Sequence, residues 1–191
     1  VGSEVKEITT RAMNGELGFH DALNERVSLL AQCPSSIVEQ VLEERITFRP
    51  GGKTLVSTMK ANGAYTALVS GGFTAFSIPI GTNLGFDEQH ANILVEENGV
   101  FTGKVAEPIL GKNEKVNQLN RLVKERGLMH SDVLAVGDGA NDLGMLAIAG
   151  IGVAMHANPI VAEKCDIVIN HCDLSSLLYL QGYKKEDFVS T

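Results

Sequence analysis

Apolar positions in the first quarter of the chain recur at helical spacing. Val5, Ile8 and Ala12 lie three and four residues apart, and the same spacing recurs across residues 22–42. Glycine and proline residues separate these stretches, as they do at helix ends. The pattern predicts a small helical unit over residues 1–47.

Beyond this unit, helical and strand patterns alternate. A helix predicted over residues 53–62 leads into the short apolar strand TALV, residues 66–69, and a second helix runs to Gly81. A long helix over residues 113–126 is followed by the strands VLAVG, IGVAM and DIVI, with helices between them. This alternation is typical of βαβ units, so the sequence predicts an α/β fold with a parallel sheet in residues 48–191.

The segment NILVEENGVFTGKV carries a different signal. Asn98 and Gly99 stand between two apolar runs, and this dipeptide favours the tight turn of a β-hairpin. We therefore predict a hairpin here.

Composition and charge narrow the function classes. The 191 residues are 44% hydrophobic and carry a net charge of −7, with no cluster of Lys and Arg that could bind a nucleic acid. No stretch reaches transmembrane length, which argues against a membrane partner. The three cysteines form no C-x-x-C pair and are interpreted as buried thiols of a protein in the reducing cytoplasm. An anionic small molecule remains compatible with this charge, and a homodimer is left open.

The first candidate for chemistry follows the strand TALV. Ser70 offers a hydroxyl, and Gly71 and Gly72 let the backbone approach a ligand closely before the next helix. Strand ends of this kind bind phosphate in open parallel sheets. The structural alternative is a serine N-cap with glycines for tight packing, and it stays open.

The second candidate is the run GDGANDLGML at the exit of VLAVG. Asp138 and Asp142 bracket a glycine-flanked turn, and hard carboxylate oxygens suit Mg²⁺. An Asx-turn at Asp138 with Asp142 as a helix cap is the structural alternative. A dinucleotide fingerprint is rejected, because Asp142 stands where its third glycine would be and would repel a pyrophosphate.

Two lysines precede this run on the long predicted helix. Lys115 lies 23 residues before Asp138, and Lys112 lies one turn earlier. Either could neutralise a phosphoryl group, although a single lysine is most often a solvated surface residue.

Taken in order, SGGF, a lysine on the following helical stretch and GDGANDxxML resemble motifs of phosphatases of the haloacid dehalogenase superfamily. The helical stretch AMNGELGFHDALNERVSLL resembles the cap of its phosphoserine phosphatases. The resemblance implies a Rossmann-like parallel sheet with helices on both faces, residues 48–191, and a small helical-bundle cap, residues 1–47. It also implies Mg²⁺ as cofactor and O-phosphoserine as substrate, in the last step of serine biosynthesis.

The resemblance implies a role for each matching residue of the core. Ser70 and the Gly71 N–H would hold the phosphoryl oxygens, and Lys115 would offset their charge. Asp138 would bind Mg²⁺ with Asp142 in the near shell, and Asn141 would position the phosphate.

In the cap, the resemblance pairs Arg26 with the substrate carboxylate, where a guanidinium fits bidentately. Met13 and Phe19 would close over the substrate. The structural alternatives are a solvated arginine and two residues of a helix-bundle core.

The chain departs from the family at one motif. No DxDxT occurs in it, and the resemblance implies that this motif supplies the nucleophilic aspartate on a central strand. We therefore expect an upstream segment of about twenty residues or more. Without this segment the chain is expected to be inactive. The alternatives to O-phosphoserine hydrolysis are another small-molecule phosphatase of the superfamily or an inactive phosphate- or metal-binding fragment.

Overall fold

A computed structural model of the chain describes residues 2–13, 16–111 and 113–190, without the side chain of Met13. The chain forms two compact units, one of residues 1–111 with 189–191 and the other of residues 112–188. In the described part, no helix combines the length and apolar character needed to cross a membrane.

The first unit contains five helices and four strands in its described part. The helices are α1 (Gly2–Met13), α2 (Phe19–Ser28), α3 (Ile37–Glu44), α4 (Gly52–Ala61) and α5 (Thr74–Leu84); the strands are β1 (Ala67–Phe73), β2 (Glu88–Asn92), β3 (Leu94–Glu97) and β4 (Val100–Val105). β1 and β2 pair in parallel, with α5 as the connection between them. β3 and β4 form an antiparallel hairpin.

The core of the first unit joins the helical segment to the hairpin. Two residues of α2 that lie four apart pack against three apolar residues of the hairpin, which fits one buried helix face on one sheet face. The buried members are Leu23, Val27, Leu94, Phe101 and Val105.

The second unit is built on a three-stranded parallel sheet. Its helices are α6 (Glu114–Arg126), α7 (Leu143–Ile148), α8 (Pro159–Ala162) and α9 (Ser176–Leu180); its strands are β5 (Leu134–Gly137), β6 (Ile151–Met155) and β7 (Ile167–Ile169), in the order β5-β6-β7. Short 3₁₀ turns lie at His130–Asp132 and Lys185–Asp187. Its core is aliphatic and contains the buried residues Ala135, Leu146, Ala154 and Val161.

The α/β class, the parallel strands and the hairpin at Asn98-Gly99 are confirmed. Two details differ from the sequence-based prediction. Strand β2 was not predicted, because EQHAN is polar over its first three residues and forms a strand only through its pairing with β1. Strand β1 also continues to Phe73, so Ser70 lies within the strand and not after it.

The predicted division at residue 47 into cap and core stays a prediction. The helical character of the segment before it is present in α1, α2 and α3.

Candidate active site

The acidic turn after β5 is organised by a buried carboxylate. Asp142 is 1% exposed, and its Oδ2 accepts hydrogen bonds from the backbone N–H of Asp138 at 3.1 Å and of Gly139 at 3.0 Å. Its side chain therefore holds the turn from inside. Asp142 precedes α7 but makes no side-chain capping bond to that helix, so its carboxylate does not serve as the helix cap.

Lys115 of α6 forms an ion pair with the same carboxylate. Its Nζ contacts Asp142 Oδ1, and its side chain is 17% exposed. The pair joins the helix before β5 to the turn after it, across 27 residues of sequence. A positive charge is thus fixed beside the turn.

Glycines on both sides of Asp138 are required by this close packing. A Cβ on Gly137 would overlap the Asp142 side chain, and a Cβ on Gly139 would lie 2.5 Å from Asn141 Oδ1. The two glycines therefore make room for the polar side chains of the turn.

Asp138 differs from Asp142 in its surroundings. It is exposed, and its carboxylate makes no hydrogen bond or ion pair with any residue that the structure describes. Asn141 is exposed as well. The turn therefore presents one carboxylate to solvent and keeps the other inside.

This donor set fits a magnesium ion only in part. The Asp138 carboxylate has no partner among the described residues, and Mg²⁺ commonly uses one or two carboxylates with water and substrate phosphate as its other ligands. Among residues 2–13, 16–111 and 113–190 there is no group of three or more acidic, histidine or cysteine side chains that could hold a metal. Asp142, engaged by two N–H groups and Lys115, is better placed to support the turn.

The segment Ser70–Gly72 lies at a register shift in β1. Val69 pairs with His90 and Phe73 with Asn92, so three residues of β1 stand opposite one residue of β2. The Gly72 N–H donates to Ser70 Oγ at 3.0 Å. Because the hydroxyl accepts this bond, its own proton remains for another acceptor.

Sequence reasoning missed a buried residue beside this segment. Asn92 is 2% exposed; its Nδ2 donates to the Gly71 carbonyl at 3.2 Å, and its Oδ1 accepts from the Leu110 N–H at 2.8 Å. The only sequence signal was a polar residue in the otherwise apolar run ANILV.

The predicted cap residues lie on the first two helices. Arg26 is half-buried in α2; its Nε donates to the Ala22 carbonyl at 3.1 Å, and it forms no ion pair within the described part of the chain. Phe19, at the start of α2, is 41% exposed, and its ring meets His20 edge-on at 5.8 Å. The Met13 side chain lies outside the described residues, so its predicted role is untested.

The structure thus brings the predicted site residues together in two groups. Lys115, Asp138, Asn141 and Asp142 lie in the second unit, around one turn. Ser70 and Gly71 lie in the first unit, with Asn92. Lys112 is outside the described residues, so the choice between the two lysines stays a prediction.

Comparison with known proteins agrees with the resemblance. The family model described as haloacid dehalogenase-like hydrolase matches residues 4–147. A phosphoserine phosphatase of Streptococcus thermophilus is 45% identical over 178 residues, which cover 93% of this chain and 82% of that protein.

A phosphoserine phosphatase of Streptomyces coelicolor is 41% identical over 184 residues. The match covers 96% of this chain but 45% of that relative, so the chain spans less than half of its length. Among solved structures, a phospho-aspartyl intermediate analogue of phosphoserine phosphatase superposes with a TM-score of 0.83 and 40% identity, over 93% of this chain and 85% of that one.

Proposed function

Because this chain belongs to the haloacid dehalogenase-like hydrolase family, we propose that the protein hydrolyses O-phosphoserine to serine and inorganic phosphate. The observation that carries the proposal is the turn after β5, where exposed Asp138 stands beside the ion pair of buried Asp142 with partly buried Lys115. The names of the relatives support the substrate.

In the proposed reaction an aspartate carboxylate attacks phosphorus and forms an acyl phosphate. The bond from phosphorus to the serine oxygen breaks, and that oxygen takes up a proton as serine leaves. Water then hydrolyses the acyl phosphate and restores the aspartate. The phospho-aspartyl analogue solved for a similar phosphoserine phosphatase supports this route by similarity.

No DxDxT motif occurs in the 191 residues, so the attacking aspartate is not assigned to any of them. In the described part of the chain, β1 pairs with β2 alone and β5 with β6 alone, which leaves one edge of each strand unpaired.

The chain's own groups would bind and orient the phosphoryl group. Ser70 and the Gly71 N–H would donate hydrogen bonds to its oxygens, Asn141 would position it, and the ammonium of Lys115 would offset its charge. Lys115 is suited to this task because its pair with Asp142 fixes its direction. Phosphoryl transfer depends mainly on such positioning and charge neutralisation.

Mg²⁺ is the proposed cofactor. Asp138 would hold it directly, and Asp142 would lie in its near shell and support the turn that presents Asp138. When bound, the ion supplies further neutralisation of the phosphoryl charge.

Arg26 is the proposed determinant of substrate class. Its guanidinium has no carboxylate partner among the described residues, whereas Arg11 nearby in sequence is paired with Glu25 at 2.9 Å. A guanidinium without an ion-pair partner among the described residues suits the carboxylate of an amino-acid phosphate. Phe19 and Met13 would cover the bound substrate, and the cytoplasm is the proposed location.

The deciding experiment measures phosphate release from O-phosphoserine by the intact protein, with Mg²⁺ and with a chelator. Asp138→Asn is expected to lower the rate about a hundredfold or more, because the carboxylate proposed to hold Mg²⁺ is lost and with it the neutralisation of the phosphoryl charge. Release of phosphate from phosphoethanolamine, which lacks the carboxylate, at the rate of phosphoserine would instead favour another small-molecule phosphatase. Phosphate binding without turnover would favour a binding module.

A further inference from the structure

We propose that Asn92 is the positioning residue of the Ser70–Gly72 segment, which it holds in the conformation that presents the Gly71 N–H and the Ser70 hydroxyl to a phosphate. The inference rests on the proposed function for its ligand. It rests on the structure for its geometry, because Asn92 is fully buried and both ends of its amide are hydrogen-bonded.

The backbone conformation of the Ser70–Gly72 segment must be stabilised by contacts from outside the segment. The register shift takes it out of regular pairing with β2, so the ladder does not fix its backbone. Two successive glycines also have more conformational freedom than any other pair of residues. A Cβ on Gly71 would meet no described heavy atom within 4 Å, so neighbouring side chains do not confine it either.

Asn92 stabilises the segment through the peptide group that joins Gly71 and Gly72. Its Nδ2 binds the Gly71 carbonyl, while the N–H of the same peptide, on Gly72, donates to Ser70 Oγ. The peptide is therefore fixed on both sides. Fixing it limits rotation at Gly71 and orients the Ser70 hydroxyl, whose oxygen accepts one hydrogen bond while its proton can be donated to a ligand.

The other end of the amide anchors Asn92 itself. Oδ1 accepts from the Leu110 N–H at 2.8 Å, in the segment that follows β4. An amide is suited to this place because it can donate to a carbonyl and accept from an N–H at once. A carboxylate at residue 92 could accept from Leu110 but could not donate to Gly71.

The test compares three variants of the intact protein. Asn92→Leu removes both hydrogen bonds, and Asn92→Asp removes only the bond to Gly71. Thr58→Val is the matched control: Thr58 is 0% exposed, lies in the same unit, and loses one buried hydrogen bond, from the Val189 N–H at 2.9 Å.

Two measurements distinguish a local positioning role of Asn92 from a general loss of stability. Amide hydrogen exchange of Gly72, followed by NMR, reports the hold without reference to activity. Inhibition by inorganic phosphate reports binding at the segment. In both Asn92 variants we expect Gly72 exchange to rise about tenfold and phosphate inhibition to weaken about tenfold, which corresponds to about 1.4 kcal/mol. Thr58→Val should change neither.

Each other outcome is decisive. An unchanged exchange rate of the Gly72 amide in Asn92→Leu would overturn the positioning role. If Thr58→Val weakened phosphate inhibition as much as the Asn92 variants do, the effect would come from a general loss of stability. If phosphate inhibition were lost in Asn92→Asp but kept in Asn92→Leu, the effect would come from the introduced negative charge, and the proposal would be overturned. If Asn92→Leu does not fold, Asn92→Asp decides through the exchange of Gly72. A native protein that neither binds phosphate nor releases it would count against the proposed function, while the exchange result would still decide the role of Asn92.

Discussion

Replacing Asp142 by asparagine removes the buried negative charge that pairs with Lys115 and leaves the size of the side chain nearly unchanged. The amide oxygen can still accept from the N–H of Asp138 and Gly139. The amide nitrogen then faces the Lys115 ammonium, so that two donors meet. The variant therefore tests the contribution of the ion pair separately from that of the two backbone hydrogen bonds in the turn.

The expected loss follows from burial. Removing one partner of a buried ion pair costs about 3–5 kcal/mol, because the remaining charge stays without compensation. Lys115 keeps 17% of its side chain exposed and can turn toward water, so we expect the low end, about 3 kcal/mol. Asp138→Asn, an exposed carboxylate in the same turn, should change stability by less than about 0.5 kcal/mol.

Urea unfolding followed by far-UV circular dichroism measures this loss, since the chain contains no tryptophan for fluorescence. A cycle with Lys115→Met adds a sharper test. The double variant removes both charges, so its loss should be smaller than the sum of the single losses by about 2 kcal/mol. Additive losses, or an unfolding midpoint of Asp142→Asn equal to that of Asp138→Asn, would show that the pair does not stabilise the turn.

Three further predictions concern the substrate, a glycine and pH. Arg26→Ala should raise KM for phosphoserine about tenfold or more by removing a charge-assisted bond, whereas Arg11→Ala should not; equal KM values in the two variants would contradict the assignment. Gly137→Ala should displace the Asp142 side chain and destabilise by about 1–3 kcal/mol in urea, and an unchanged midpoint would show that the turn has room. Burial raises the pKa of Asp87, but hydrogen bonds from Lys60 and Thr66 outweigh it and hold the pKa below its ordinary value of 3.8. A carboxylate with a lowered pKa stabilises the folded state at pH values above its ordinary pKa. The difference in unfolding free energy between the native protein and Asp87→Asn should therefore shrink as the pH falls below about 3.8. A difference that grows there would contradict the direction of the pKa shift.

The sequence predicted the elements whose signals are local. The hairpin followed from Asn98-Gly99, and the strand β5 followed from an apolar run that ends in a glycine-flanked turn. Strand β2 was missed because its signal is not local. Glu88, Gln89 and His90 are polar, and they form a strand because β1 lies beside them.

The same distinction applies to the candidate site. Asp138 stands out in the sequence between two glycines, Ser70 stands before two glycines, and Asp142 belongs to the same run as Asp138; the resemblance adds their roles. Asn92 has no such flank. Its contact with Gly71 spans 21 residues and depends on the register of β1 against β2, which no spacing rule supplies.

The turn after β5 and the Ser70–Gly72 segment are each held by one buried polar side chain, and the two side chains are not interchangeable. Asp142 receives donors only, from two backbone N–H groups and an ammonium, so a carboxylate satisfies every partner and its charge is balanced by Lys115. Asn92 must donate to one backbone group and accept from another, and no cation contacts it in the described residues. A carboxylate at residue 92 would therefore place an unbalanced charge next to the segment proposed to bind a phosphate. The choice between amide and carboxylate thus follows from the hydrogen-bonding partners that surround each side chain.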